Sequence, residues 1–96
     1  MRESRIEKLL INEVKKLNGL CFKCSSVGFN GLPDRMVLYQ GKLYFVELKA
    51  PGEKPRKIQL HVHNLIRQQG FEVRIIDSLE DVEAFVKEIG GDHYEV

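Results

Sequence analysis

Residues 33 to 49 read Pro33-Asp34-Arg35-Met36-Val37-Leu38-Tyr39-Gln40-Gly41-Lys42-Leu43-Tyr44-Phe45-Val46-Glu47-Leu48-Lys49. Two strand-like runs, 34–39 and 42–49, flank Gln40-Gly41, which predicts a β-hairpin. With a two-residue turn, Tyr39 lies opposite Lys42 and Asp34 lies opposite Glu47. Lys49, two residues on, shares the face of Glu47. Directly opposed residues have Cβ atoms about 4.5–5.5 Å apart, so the hairpin gathers two carboxylates and an amine on one patch of sheet.

Two carboxylates that close repel each other, and protonation, a cation or open water relieves them. A hard divalent cation such as Mg²⁺ takes one or two carboxylates, waters and often a phosphate oxygen. Lys49 beside it would orient a water or stabilise developing charge. These parts suit metal-dependent phosphodiester hydrolysis. Taken alone, a Glu-X-Lys spacing is also what an ordinary solvated strand face with a weak ion pair shows.

Outward from the hairpin, residues 3–17 carry Ile6, Leu9, Leu10, Val14 and Leu17 at helical spacing, and Asn18-Gly19 ends that helix. Residues 20–27 read as a strand, and Gly28-Phe29-Asn30-Gly31-Leu32-Pro33 as a loop. After the Pro/Gly loop 50–55, Ile58, Val62, Leu65, Ile66 and Gln69 predict a helix face, with Gly70 as its stop. Residues 71–76 form a strand, and Ser78 caps a final helix with Leu79, Val82, Phe85, Val86 and Ile89 inward. The order is αβββαβα. The second hairpin strand, the crossover helix and the last strand make a right-handed βαβ unit, so a mixed sheet of four strands flanked by helices follows. The class is α/β with mixed α+β character, and residues 1–96 read as a single domain.

With 96 residues, 43% hydrophobic and 30% charged, the chain has the composition of a small globular domain. Its apolar runs are far shorter than the ~20 residues of a membrane span. The N-terminus lacks the apolar segment of a signal peptide. Two cysteines are too few for a disulfide scaffold, so an intracellular, cytoplasmic location is expected. Cys21 and Cys24 have redox-motif spacing but sit on a strand, where positions three apart face opposite sides; they read as buried strand cysteines. The net charge of +1 neither demands nor excludes nucleic acid.

The ordered string Gly31-Leu32-Pro33-Asp34-Arg35, Val46-Glu47-Leu48-Lys49 and Gln59 resembles the PD-(D/E)XK nuclease superfamily. Its Gly-X-Pro-Asp-Arg form, with Glu7 on the first helix, is similar to the virus-type replication-repair nuclease (VRR-NUC) family, and the resemblance covers about residues 7–76. It implies a restriction-endonuclease-like core and a divalent-metal-dependent DNA endonuclease using Mg²⁺ or Mn²⁺. It implies Asp34 and Glu47 as metal-ligating carboxylates, the Leu48 carbonyl as a further ligand, and Lys49 as the catalytic lysine. Glu7 matches the family's helix glutamate, facing the metal directly or through water. Periodicity alone leaves Glu13 equally near that inward arc, and a helix-start acid is also favoured by the dipole. Gln59 matches the family's helix glutamine, whose amide suits holding a water or a phosphate.

On the same helix edge, His63 and Arg67 follow Gln59 at i+4 and i+8, and Lys54, Arg56 and Lys57 form the densest basic run. These five are the candidate DNA contacts, with an ordinary polar helix edge and a solvated loop as the plain alternatives. Arg35 points away from Asp34 and pairs structurally. Minimal members of the family resemble Holliday-junction resolvases, which implies a homodimer acting on branched DNA in replication or repair, with phage or plasmid origin and, if phage-encoded, the host cytoplasm as its place. A less selective nuclease on flap, nicked or duplex DNA is the alternative, and a non-catalytic DNA-binding or assembly module is the alternative of another class.

Overall fold

The computed structural model describes residues 2–91. Helix α1 (Glu3–Lys16) leads into β1 (Leu20–Lys23), β2 (Arg35–Tyr39) and β3 (Lys42–Leu48). Helix α2 (Lys57–Gln68) crosses over to β4 (Glu72–Ile76), and α3 (Leu79–Gly90) follows. The sheet order is β1-β2-β3-β4, with the first two pairings antiparallel and β3–β4 parallel. The expected αβββαβα order and four-stranded mixed sheet are both present.

The hairpin register is the one the sequence predicts, with Tyr39 opposite Lys42 and Arg35 opposite Val46. Its turn residues Gln40 and Gly41 both have positive φ, 47° and 80°. That is the backbone of a type I′ turn, whose twist matches the strands it joins. Strand β1 is shorter than the expected 20–27. Its last ladder pair is Lys23 with Arg35, and one further bond runs from the Cys24 N–H to the Asp34 carbonyl at 2.8 Å. Beyond it the chain leaves the sheet, and Val27 is fully exposed. Because β1 is an edge strand, Cys21 and Cys24 are half-buried free thiols rather than buried ones.

One sheet face carries Val37, Tyr39, Tyr44, Val46, Leu48 and Ile76, packed under Ile6, Leu10 and Val14 of α1 and Val82, Phe85 and Val86 of α3. Each such side chain removed from water contributes about 1.5–3 kcal/mol, which makes this layer the core. Ser78 caps α3 by accepting the Asp81 N–H at 3.0 Å, as the sequence predicts.

Helix α2 covers only part of the other face, and it is turned away from the expected apolar arc. Its buried residues are Gln59, Val62 and His63, while Ile58 and Leu65 are 42% and 40% exposed. The physical reason lies beneath it: α2 packs over the side of β3 from which Glu47 projects, and a buried carboxylate needs polar partners rather than aliphatic ones.

Candidate active site

Glu47 is 1% exposed near the C-terminal end of β3. Asp34 stands just before β2, with its Oδ2 accepting the Leu48 N–H at 2.7 Å. The hairpin register therefore delivers the two carboxylates to one place, as expected. Burial, and then the Asp34 charge within hydrogen-bonding reach, push the Glu47 carboxyl up to about 7, with Lys49 pulling the other way. Lys49 Nζ lies 3.4 Å from Glu47 Oε2.

Gln59 makes both kinds of bond an amide allows. Its Oε1 accepts the Arg56 N–H at 2.8 Å, closing the first turn of α2, and its Nε2 donates to Glu47 Oε2 at 2.9 Å. One lone pair and one N–H of the amide are thus engaged by the helix start and by Glu47. One turn later His63, fully buried, places Nε2 3.2 Å from Glu47 Oε1. Burial, and the positive charges of Arg67 and Lys49, lower its pKa. His63 was expected at an edge offered to DNA. The structure corrects this, because a side chain with no exposed surface touches no phosphate. Arg67 is exposed but donates from NH2 to the Val73 carbonyl at 3.0 Å, tying α2 to β4.

Glu7 is held by Arg35: its Oε2 accepts from Arg35 Nε at 2.9 Å, which gives Arg35 the structural pairing expected of it. Glu13, at the other end of α1, pairs with Lys16 at 3.0 Å. Glu3 is the residue the sequence reading passed over. Partial burial and then the Asp34 charge raise its pKa, while Lys49 lowers it. Its i,i+4 spacing from Glu7 was the available signal.

Lys54, Arg56 and Lys57 are exposed in and beside the loop between β3 and α2. That loop is anchored by Ala50 N–H to Glu53 Oε1 at 3.1 Å and by Gly52 N–H to Asp77 Oδ2 at 3.3 Å. On the other flank, Gly31 has φ of +89°, and a Cβ there would meet the Ile58 carbonyl oxygen at 2.8 Å. Only glycine lets the loop before Asp34 press so closely on α2.

Among the described residues, no group of three His, Cys, Asp or Glu side chains converges as a metal cage. The donor set is instead two adjacent carboxylates, buried Glu47 and half-buried Asp34. Mg²⁺, which binds through one or two carboxylates and retains waters, fits that set.

No family model matches the chain. It is 48% identical over 79 residues to a protein described as "Putative nuclease p44" from Acyrthosiphon pisum secondary endosymbiont phage 1, covering 81% of this chain and 85% of that one. It also superposes on a solved VRR_NUC domain with a TM-score of 0.82 and 33% identity, over 88% of this chain and 94% of the other. The chain belongs to the VRR-NUC nuclease family. The three helices and mixed sheet of its described residues are that family's restriction-endonuclease-like fold. A VRR-NUC nuclease is a hydrolase of nucleic acid, so the Asp34–Glu47–Lys49 cluster is the candidate centre for that chemistry.

Proposed function

We propose that this VRR-NUC chain acts as a single module, residues 1–96, and is a divalent-metal-dependent DNA endonuclease selective for branched DNA. The observation that carries the reading is the pairing of half-buried Asp34 with buried Glu47, with Lys49 beside it. Asp34, Glu47 and the Leu48 carbonyl would hold Mg²⁺ or Mn²⁺, with Glu7, fixed by Arg35, facing it through water. Such an ion supplies Lewis-acid polarisation of a phosphate oxygen and a water of lowered pKa. Lys49 adds positive charge next to the carboxylates, where it orients the attacking water and offsets charge building on the phosphoryl oxygens. Gln59 holds Glu47 in place. Water adds to phosphorus, and the ester oxygen leaves. Lys54, Arg56, Lys57 and Arg67 supply the phosphate contacts.

A homodimer is supported by the sheet face that α2 leaves open. The rows Leu20–Leu38–Leu43 and Phe22–Met36–Phe45 run across three strands in register. Leu20 and Phe22 are 53% and 45% exposed. This apolar surface lies on the same face as Glu47, and two-fold pairing supplies the two cuts that a four-way junction requires. No described helix is long and apolar enough to cross a membrane, and host cytoplasm is the proposed place of action, in replication or repair.

A cleavage assay tests the reading, with four-way junction, flap, nicked and plain duplex DNA in Mg²⁺, Mn²⁺ or EDTA, and Glu47→Ala as control. Symmetric junction cuts that require metal and Glu47 are expected. Equal cutting of all substrates would discard the branch selectivity. Binding without cutting would point to a non-catalytic module.

A further inference from the structure

His63 has no place in the reading above, yet it is among the most deeply buried polar groups of the fold, at 0% exposed. Its Nε2 lies 3.2 Å from Glu47 Oε1. Its Nδ1 is buried with no hydrogen-bond partner among the described residues. This asymmetry fixes the proton. A hydrogen on Nδ1, in either the other neutral tautomer or the imidazolium, would be an orphaned buried N–H, one of the costliest defects in a protein interior. The proton therefore resides on Nε2, and the ring donates to Glu47.

The Glu47 carboxylate is consequently gripped on both oxygens by consecutive turns of α2. Gln59 Nε2 holds Oε2 at 2.9 Å, and His63, four residues later, holds Oε1. Two donors on different oxygens fix the plane of a carboxylate, which one donor leaves free to rotate. Asp34 stands within hydrogen-bonding reach of the same group. Of the apolar face expected of α2, Val62 is buried beside this pair of donors, while Ile58 and Leu65 are exposed.

We propose that His63 is a positioning residue: it donates Nε2–H to Glu47 Oε1 and, opposite Gln59 and Lys49 on Oε2, sets the plane of the carboxylate for the divalent cation that Asp34 and Glu47 would hold. This rests on the metal-dependent reading of the site. A partner that orients a ligating side chain through a hydrogen bond typically changes metal affinity 10–100-fold when removed.

The test compares the wild-type chain with His63→Leu and His63→Gln, using Mn²⁺ alone as the probe in calorimetric titration. A glutamine amide reaches the place of Nε2 and donates there, whereas leucine does not. Mn²⁺ affinity is expected to fall at least about tenfold in H63L and to return to within about threefold of wild type in H63Q. Equal Mn²⁺ affinity in folded H63L and wild type would overturn the proposal while leaving the metal reading intact. Absence of Mn²⁺ binding by the wild-type chain would instead overturn the metal reading itself. Should H63L fail to fold, ¹⁵N spectra of the wild-type imidazole decide. Protonated Nε2 with bare Nδ1 is the expected signature, and protonated Nδ1 overturns the assignment.

Discussion

Asp34 is bonded to the strand that carries Glu47: its Oδ2 accepts the Leu48 N–H at 2.7 Å. One oxygen of Asp34 therefore fixes its place while the rest of the group remains for chemistry. The two functions are separable by substitution.

Asp34→Asn retains a carbonyl oxygen to accept the Leu48 N–H, so it is expected to fold with stability close to wild type and to lose Mn²⁺ binding and cleavage. Asp34→Ala also leaves that N–H without its acceptor and is expected to be less stable by about 1–3 kcal/mol. Urea denaturation checks the difference between the two variants, and Mn²⁺ titration checks what they share. Equal stability of the two would show that the Asp34–Leu48 bond contributes nothing to the fold.

Glu47 makes the metal-free protein sensitive to pH in an unusual direction. Its carboxyl is raised from 4.5 to about 7 in the folded state. Between those values the folded chain holds a proton that the unfolded chain has released. Stability is therefore fully present below pH 4.5 and is lost as pH rises through about 7, by on the order of 3 kcal/mol. Denaturation in EDTA between pH 4.5 and 8 is expected to show this fall in wild type relative to Glu47→Gln, whose side chain does not ionise and whose profile keeps only the opposing rise from His63, held below its ordinary pKa by burial. Saturating Mn²⁺ is expected to remove the fall, because the cation neutralises the carboxylate that burial penalises. A wild-type profile in EDTA of the same shape as that of E47Q would refute the assignment.

The sequence carried the backbone of this site and left much of its packing hidden. Hairpin register follows from two strand-like runs and a two-residue turn, so the meeting of Asp34 and Glu47 is legible in the sequence. Helix α2 was not legible in the same way. Periodicity assigns Ile58 and Leu65 to the interior because they are aliphatic, yet they lie 42% and 40% exposed while Gln59 and His63 are buried. A hydrophobic pattern records only the average preference of a core. It fails where the surface to be covered is itself an ionisable group, since burying Glu47 calls for donors. The first helix shows the same limit from the other side: Glu3 and Glu7 share a face, but only the packed structure shows that Arg35 takes Glu7 while Glu3 senses Asp34 and Lys49.

The basic loop yields a prediction about DNA that is independent of catalysis. Lys54, Arg56 and Lys57 are exposed, and the loop that carries them is tied down at Ala50 and Gly52. Each cation that neutralises a phosphate releases condensed counterions, and the dependence of log affinity on log salt steepens by about 0.9 on duplex DNA. The triple substitution Lys54→Ala, Arg56→Ala, Lys57→Ala is therefore expected to make that slope shallower by about 2–3 and to weaken binding to every duplex alike. Mn²⁺ affinity should stay near wild type, because none of the three side chains touches Asp34 or Glu47. Fluorescence anisotropy on a labelled duplex across a salt series reads the slope directly. An unchanged slope would remove this loop from the DNA-contacting surface and leave Arg67 and the rest of α2 to supply it.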